Sequence, residues 1–213
     1  MLFSTEKFNE APVVGILRGY SADDTKEIAG VYYEAGFTTL EITMNTGEAG
    51  RSIAAVSEKF EGRLNVGAGT VTTMDRLREA LEMGARFIVT PTVEKEIITY
   101  CVERKIPVFP GAFTPTEISY AWSLGAAMVK VFPSDILGPA YIKAVLGPLD
   151  EVKLMPTGGV DPGNMMDYWK AGARAFGMGG CLFDKELIKI KDWNSLRRNL
   201  KEVRRKLSLI TGV

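Results

Sequence analysis

The sequence predicts an α/β fold, a single (β/α)8 barrel (TIM barrel) with a short N-terminal helix, and three observations carry that prediction. The 213 residues have an ordinary globular composition, 46% hydrophobic and 24% charged, with no linker or composition shift to divide them. Short β-rich runs start near residues 13, 38, 64, 86, 106, 127, 152 and 174, spaced 20 to 26 residues apart. Between them, apolar residues recur at helical spacing. Regular alternation of strand and helix implies a parallel sheet, and eight units suit one closed barrel over residues 1–213. A doubly wound open sheet is the alternative. It would more readily show a GxGxxG turn after strand one, where the sequence reads GILRGY.

Residues 1–10 look like an extra helix with Phe3 and Phe8 as its apolar side, placed to plug the barrel's lower end. The strand runs follow in order: PVVGIL (12–17), TTLEIT (38–43), LNVGAG (64–69), RFIVT (86–90), IPVFPG (106–111), MVKVF (128–132), VKLMPTGG (152–159) and AFGMGG (175–180). Four of them follow a helix-like segment ending in glycine, at Gly36, Gly84, Gly125 and Gly172. Glycine suits that place because it closes a helix in the left-handed conformation. Helical stripes are read at Ala54, Val56 and Phe60, at Leu77, Leu81 and Met83, and at Leu196, Leu200, Val203 and Leu207. From Lys185 onward the tail carries nine basic residues against three acids. Its intact apolar stripe reads as a helix with one solvated face, not as a nucleic-acid surface.

Composition narrows the chemistry. With 26 basic and 26 acidic residues the net charge is zero, which argues against nucleic acid or an anionic membrane as partner. There is no histidine. Ser–His–Asp and Cys–His pairs and HExxH zinc sites are therefore excluded, and acid–base work falls to carboxylates, a perturbed lysine, tyrosine or cysteine. Cys101 and Cys181 form no CxxC, so neither a disulfide framework nor a metal site is expected. The N-terminus MLFSTEKFNEAP lacks the regions of a signal peptide. The longest uncharged stretch, Ile118 to Val129, is 12 residues, short of the roughly 20 of a membrane span. A cytoplasmic protein with reduced thiols is the expectation.

Barrel enzymes place catalytic groups at the C-terminal ends of strands, so a charge in an apolar strand is informative. Lys130 interrupts Met128-Val129-Lys130-Val131-Phe132. Period-two alternation puts Val129 and Val131 toward the helices and Lys130 into the barrel, where desolvation favours the neutral amine that attacks carbonyls. Its structural alternative is a lysine that snorkels to the rim. Lys153, behind Asp150-Glu151 at the start of its strand, belongs to the opposite end and reads as structural. Glu41, inward with Thr39 and Thr43 while Leu40 and Ile42 face out, is the natural acid–base group, or a carboxylate paired with Arg18 or Lys130 for structure alone. Thr157-Gly158-Gly159 and Gly177-Met178-Gly179-Gly180 follow strands seven and eight, where backbone N–H groups often converge on a phosphate. Arg18, just past strand one, faces the same mouth and suits a carboxylate or phosphate.

The ordered set GILRGY, LEITMNT, VGAGTV, FPGAFTPTE, VKVFPSD and PTGGV resembles the 2-keto-3-deoxy-6-phosphogluconate (KDPG) aldolase family, with its phosphogalactonate and 4-hydroxy-2-oxoglutarate (KHG) members. The resemblance covers roughly residues 10 to 185. It implies a (β/α)8 barrel, a homotrimer, no metal or other cofactor, and cleavage of a 2-keto-3-deoxy acid to pyruvate through a lysine Schiff base. By position it makes Lys130 the Schiff-base lysine and Glu41 the acid–base carboxylate. Thr70 would hold the pyruvyl unit, and the glycine turns give Gly158, Gly159 and Gly180 beside Thr157 and Gly179. Two positions depart from the phosphogluconate pattern: Asn45 stands where arginine binds the substrate carboxylate, and Cys181 where serine meets the phosphate. Asn45, the ILRG run and GPAYIKA (138–144) look more like the phosphogalactonate branch. Two other readings stay open: a phosphosugar isomerase or epimerase using Glu41 as base, and a phosphate-ligand binding module with a decayed site.

Overall fold

The computed structural model describes residues 2–212. Its elements run α1 (Thr5–Glu10), β1 (Val13–Leu17), α2 (Ala22–Glu34), β2 (Thr39–Thr43), α3 (Ala49–Lys59), β3 (Asn65–Gly69), α4 (Met74–Glu82) and β4 (Ile88–Val89). Next come α5 (Lys95–Glu103), β5 (Val108–Phe109), β6 (Gly111–Ala112), α6 (Pro115–Ser123), β7 (Val129–Val131) and α7 (Ser134–Leu146). The chain ends with β8 (Leu154–Pro156), α8 (Met165–Lys170), β9 (Phe176–Met178), α9 (Lys185–Lys189) and α10 (Trp193–Thr211). The four helix-closing glycines have φ of 90°, 102°, 93° and 107° at Gly36, Gly84, Gly125 and Gly172, the left-handed backbone the sequence predicts.

The fold is α/β with parallel strands in a curled sheet. One sheet runs β5-β4-β3-β2-β1-β9 and a second runs β6-β7-β8, every registered pair being parallel. The predicted fifth strand is two short ones because Pro110 between them has no N–H to donate. Its carbonyl still accepts from the Lys130 N–H at 2.9 Å, and the Val108 carbonyl accepts from Ala127 at 3.1 Å. At the other edge Thr157 bridges Gly177 in parallel, and Arg174 N–H donates to the Leu154 carbonyl at 2.9 Å.

Strand parity divides the core in two. Leu40, Ile42, Val66, Val129 and Val131 pack outward against Ile28, Ile53, Leu77 and Leu200 of the helices. Val14, Phe87, Val89, Phe109, Met128 and Met155 form a smaller inner cluster with Phe8. The N-terminal helix predicted over residues 1–10 begins only at Thr5, capped by Ser4, so Phe3 precedes it, and residue 1 lies outside the described residues. Phe8 stacks on Phe109 with centroids 6.0 Å apart, and Phe3 meets Phe87 edge-on at 5.6 Å. Asn65, a residue the sequence did not single out, pins that segment by accepting from Ser4 N–H at 2.8 Å and donating to the Ser4 carbonyl at 2.9 Å.

Two helical stripes need correction. In α3 the buried residues are Ala49, Ser52, Ile53 and Val56, with Ala54 only half-buried. Met83 caps α4 and is exposed, Leu77 and Ala80 being the buried pair. In α10 the expected Leu196, Leu200, Val203 and Leu207 are the buried face. Its basic residues work structurally: Arg197 pairs with Glu34 at 2.7 Å, and Arg204 donates to the carbonyls of Gly36 and Glu10 at 3.1 and 2.9 Å.

Among the described glycines, Gly111 at the junction between β4 and β6 makes the tightest approach to backbone. A Cβ at Gly111 would lie 2.2 Å from the Pro91 carbonyl oxygen and 2.9 Å from that of Thr90. Neither backbone group can rotate aside. Gly111→Ala is therefore expected to destabilise the fold by about 3 kcal/mol, at the upper end of overpacking costs, as read from urea unfolding midpoints.

Candidate active site

The side chains of Thr39, Glu41 and Thr43 share the inward face of β2, and Lys130 occupies the inward face of β7 while Val129 and Val131 pack outward. Glu41 is 2% and Lys130 7% exposed. Lys130 thus lies within the wall and does not snorkel to the rim. Its Nζ lies 5.0 Å from the centre of the Phe132 ring. Burial lowers the Lys130 pKa, the Glu41 carboxylate opposes that, and Arg18 adds to it. Burial raises the Glu41 pKa, against the pull of Lys130 and Arg18. Arg18 thus acts electrostatically on both groups.

Glycines make room for this pair. On β3 the inward positions 67 and 69 carry no side chain. A Cβ at Gly67 would lie 2.4 Å from the Phe87 ring, and one at Gly69 would lie 1.6 Å from Glu41 Oε1. The Glu41 carboxyl fills the space that Gly69 leaves. Likewise a Cβ at Gly177 would meet Thr157 Oγ1 at 2.2 Å. Gly158 and Gly159 adopt φ of 88° and 71°, which other residues rarely hold.

These elements surround an open cavity of about 550 Å³ at the C-terminal ends of the strands, lined by Arg18, Lys130, Thr157, Gly158, Gly159, Gly179, Gly180 and Cys181. Eight of the predicted residues therefore meet in one place, and Glu41 is coupled to them through Lys130. Besides Glu41, two predicted residues do not line it. Asn45 is exposed on the turn after β2. Thr70, half-buried after β3, holds a left-handed backbone with φ 55°, a strained state for a β-branched residue. Cys181 accordingly sits at the mouth, where its Sγ donates to the Val160 carbonyl at 3.2 Å and its thiol is pushed up to about 11, by burial first and by Asp161 second. It is a protonated thiol at neutral pH.

Tyr20, Asp161 and Lys185 also line the cavity, and the sequence reading passed over them. In the sequence Lys185 reads as one more basic residue of the tail. The available signal was its place four residues after Cys181, on the segment leaving the last strand. Lys153 lies exposed at the opposite end, beside Phe3 and Phe8, as expected. Among the described residues, no group of three or more His, Cys, Asp or Glu is placed to hold a metal ion. None of their helices is long and apolar enough to cross a membrane.

A family model described as KDPG and KHG aldolase matches residues 5–199. The chain belongs to the KDPG and KHG aldolase family. It is an aldolase, a lyase that cleaves carbon–carbon bonds. A probable 2-dehydro-3-deoxy-6-phosphogalactonate aldolase of Rhizobium meliloti is 35% identical over 175 residues, covering 82% of each chain. A 2-dehydro-3-deoxy-phosphogluconate aldolase of Haemophilus influenzae is 33% identical over 200 residues, 93% of each. The KDPG aldolase of Legionella pneumophila, solved with pyruvate captured as a covalent carbinolamine, superposes with a TM-score of 0.85 at 26% identity, over 92% of this chain and 96% of that one. A lysine Schiff base is the general mechanism of these aldolases.

Proposed function

We propose that the aldolase cleaves a 2-keto-3-deoxy-6-phospho sugar acid, of the phosphogluconate type, to pyruvate and glyceraldehyde 3-phosphate, with Lys130 as the Schiff-base lysine. The observation that carries the assignment is the burial of Lys130 on the inward face of β7, facing Glu41, which keeps its amine closer to neutral. The amine attacks the C2 ketone and loses water to give an iminium. That cation accepts the C3–C4 bonding electrons while the C4 hydroxyl loses its proton to Glu41 through a water. The enamine then takes a proton at C3, and hydrolysis frees pyruvate and Lys130. Arg18 faces the substrate carboxylate in place of Asn45, Thr70 steadies the pyruvyl unit, and Thr157, the glycine turns and Cys181 receive the distal phosphate beside Lys185.

The same reading closes the two sheets into one eight-stranded barrel and one domain, through the hydrogen bonds at Pro110 and the Thr157–Gly177 bridge. It has the enzyme working in the cytoplasm as the homotrimer that the resemblance implies. Exposed Phe113, Tyr120 and Ile136 on or beside α6 and α7 support self-association, which light scattering after gel filtration would measure.

A phosphogalactonate substrate is the second reading, favoured by the exposed Asn45 and by the Rhizobium meliloti relative. A lactate-dehydrogenase-coupled assay with both phosphorylated acids and their unphosphorylated forms decides between them. The assignment of Lys130 is tested by incubation with pyruvate and borohydride. A reduced adduct on the peptide holding Lys130 is expected, and its absence would overturn the mechanism.

The charges in the site predict a pH dependence. Trapping needs the neutral amine, so its yield should rise with pH through the lowered Lys130 pKa and level off below the ordinary lysine range. Glu41 raises that pKa, so Glu41→Gln should move the midpoint of trapping to lower pH. A midpoint that stays put or rises would show that the two groups do not share a field.

A further inference from the structure

Two buried side-chain oxygens among the described residues have no protein hydrogen-bond partner, Glu41 Oε2 and Thr43 Oγ1. Leaving a buried polar atom unpaired costs about 1–3 kcal/mol, so two on one strand call for a reason. Thr43 is 0% exposed. Both residues lie on the inward face of β2, two positions apart, and so on the same wall. Their polar ends are closer in height than their backbones. The Glu41 backbone is level with Gly67, but its carboxyl packs against Gly69, which is the register partner of Thr43. The Glu41 carboxyl thus reaches the level of Thr43 on the inward face of the strand, and the two orphan oxygens do not bond each other.

We infer that Thr43 is a positioning residue, whose hydroxyl and Glu41 Oε2 together hold the water that carries protons between Glu41 and the substrate. The inference rests on the Schiff-base reading above. An ionised carboxylate can only accept hydrogen bonds, whereas a hydroxyl also accepts two. A water donating one hydrogen to Oε2 and the other to Thr43 Oγ1 turns a lone pair toward the C4 hydroxyl. In the cleavage step the water takes the C4 proton and passes its own to Glu41. The O–H electrons become the new C=O bond, and the C3–C4 pair flows into the iminium to form the enamine. On the return, the protonated Glu41 gives a proton to the water as the water protonates C3.

The test separates this role from that of Lys130. In heavy water the enzyme should exchange the methyl hydrogens of pyruvate, a reaction that needs both the Schiff base and the proton relay, and proton NMR follows it. Thr43→Val keeps the shape and removes the hydroxyl. Exchange should slow about 10²-fold, the usual scale of acid–base assistance, while borohydride still traps pyruvate on Lys130. Thr43→Ala should behave like Thr43→Val, and Thr43→Ser should stay within a few-fold of the parent. Unchanged exchange in the valine or alanine variant, or equal slowing in the serine variant, overturns the role of Thr43. Failure of trapping in the parent enzyme overturns the Schiff-base reading instead.

Discussion

Lys130→Met should abolish pyruvate trapping by borohydride and lower turnover by about 10⁴-fold or more, the scale on which loss of a covalent nucleophile is felt. No second lysine of β7 can replace it, and Lys185, the other lysine lining the cavity, is exposed on the segment after the last strand. Its loss should also be visible in stability, with the opposite sign. Between its lowered native pKa and the ordinary lysine value, the unfolded chain binds more protons than the folded one at Lys130, so stability rises with pH over that window. Below the window the fold carries a buried ammonium. Glu41 behaves inversely: between the ordinary carboxylate value and its raised native pKa, the folded state binds more protons, and stability falls as pH rises. Removing both burdens in Lys130→Met/Glu41→Met should stabilise the inactive protein by about 1–4 kcal/mol at neutral pH, as is often found when a buried charge pair is replaced by apolar residues of similar volume. A double variant less stable than the parent in urea would show that the pair supports the fold.

Gly69→Ala should keep the fold and lose the chemistry. Its new Cβ would stand 1.6 Å from Glu41 Oε1 and 2.2 Å from Cδ, so the carboxyl must swing away from its place. A displacement of about 1 Å is enough for a 10²-fold loss in kcat, and pyruvate trapping on Lys130 should survive. Gly67→Ala makes the reverse case. Its Cβ meets the Phe87 ring of the inner cluster at 2.4 Å, so stability should fall first, by about 1–3 kcal/mol. If Gly69→Ala turned over substrate at the parent rate, Glu41 would not need the position it occupies.

These two glycines show where the sequence stopped being legible. In VGAGTV they mark a motif, but nothing in one strand says that Gly69 is the floor of Glu41 and Gly67 the seat of Phe87. Glu41 lies 28 residues before Gly69 in the chain, and Phe87 lies 20 residues after Gly67. The same holds for Asn65, whose hydrogen bonds to Ser4 span 61 residues. Lys130 and Glu41 were legible because a charge inside an apolar β-run is anomalous by itself, and parity gives its direction. Lys185 was not, because among nine basic residues of the tail its side chain differs from the others only in where α9 begins. Thr43 had the right parity but no anomaly, since a threonine in a strand is ordinary until its hydroxyl proves to have no partner.

The sequence by itself determined the alternation of strand and helix, the inward direction of Lys130 and Glu41, and the exclusion of histidine chemistry. Periodicity and composition are local properties, readable from neighbours in the chain. Only the tertiary structure decided that Arg18 bears on both buried charges, that Asn45 is exposed on the turn after β2, and that Pro110 breaks a strand without parting it from β7. Those outcomes depend on which strands meet and at what register, and that is settled by packing across the whole sheet.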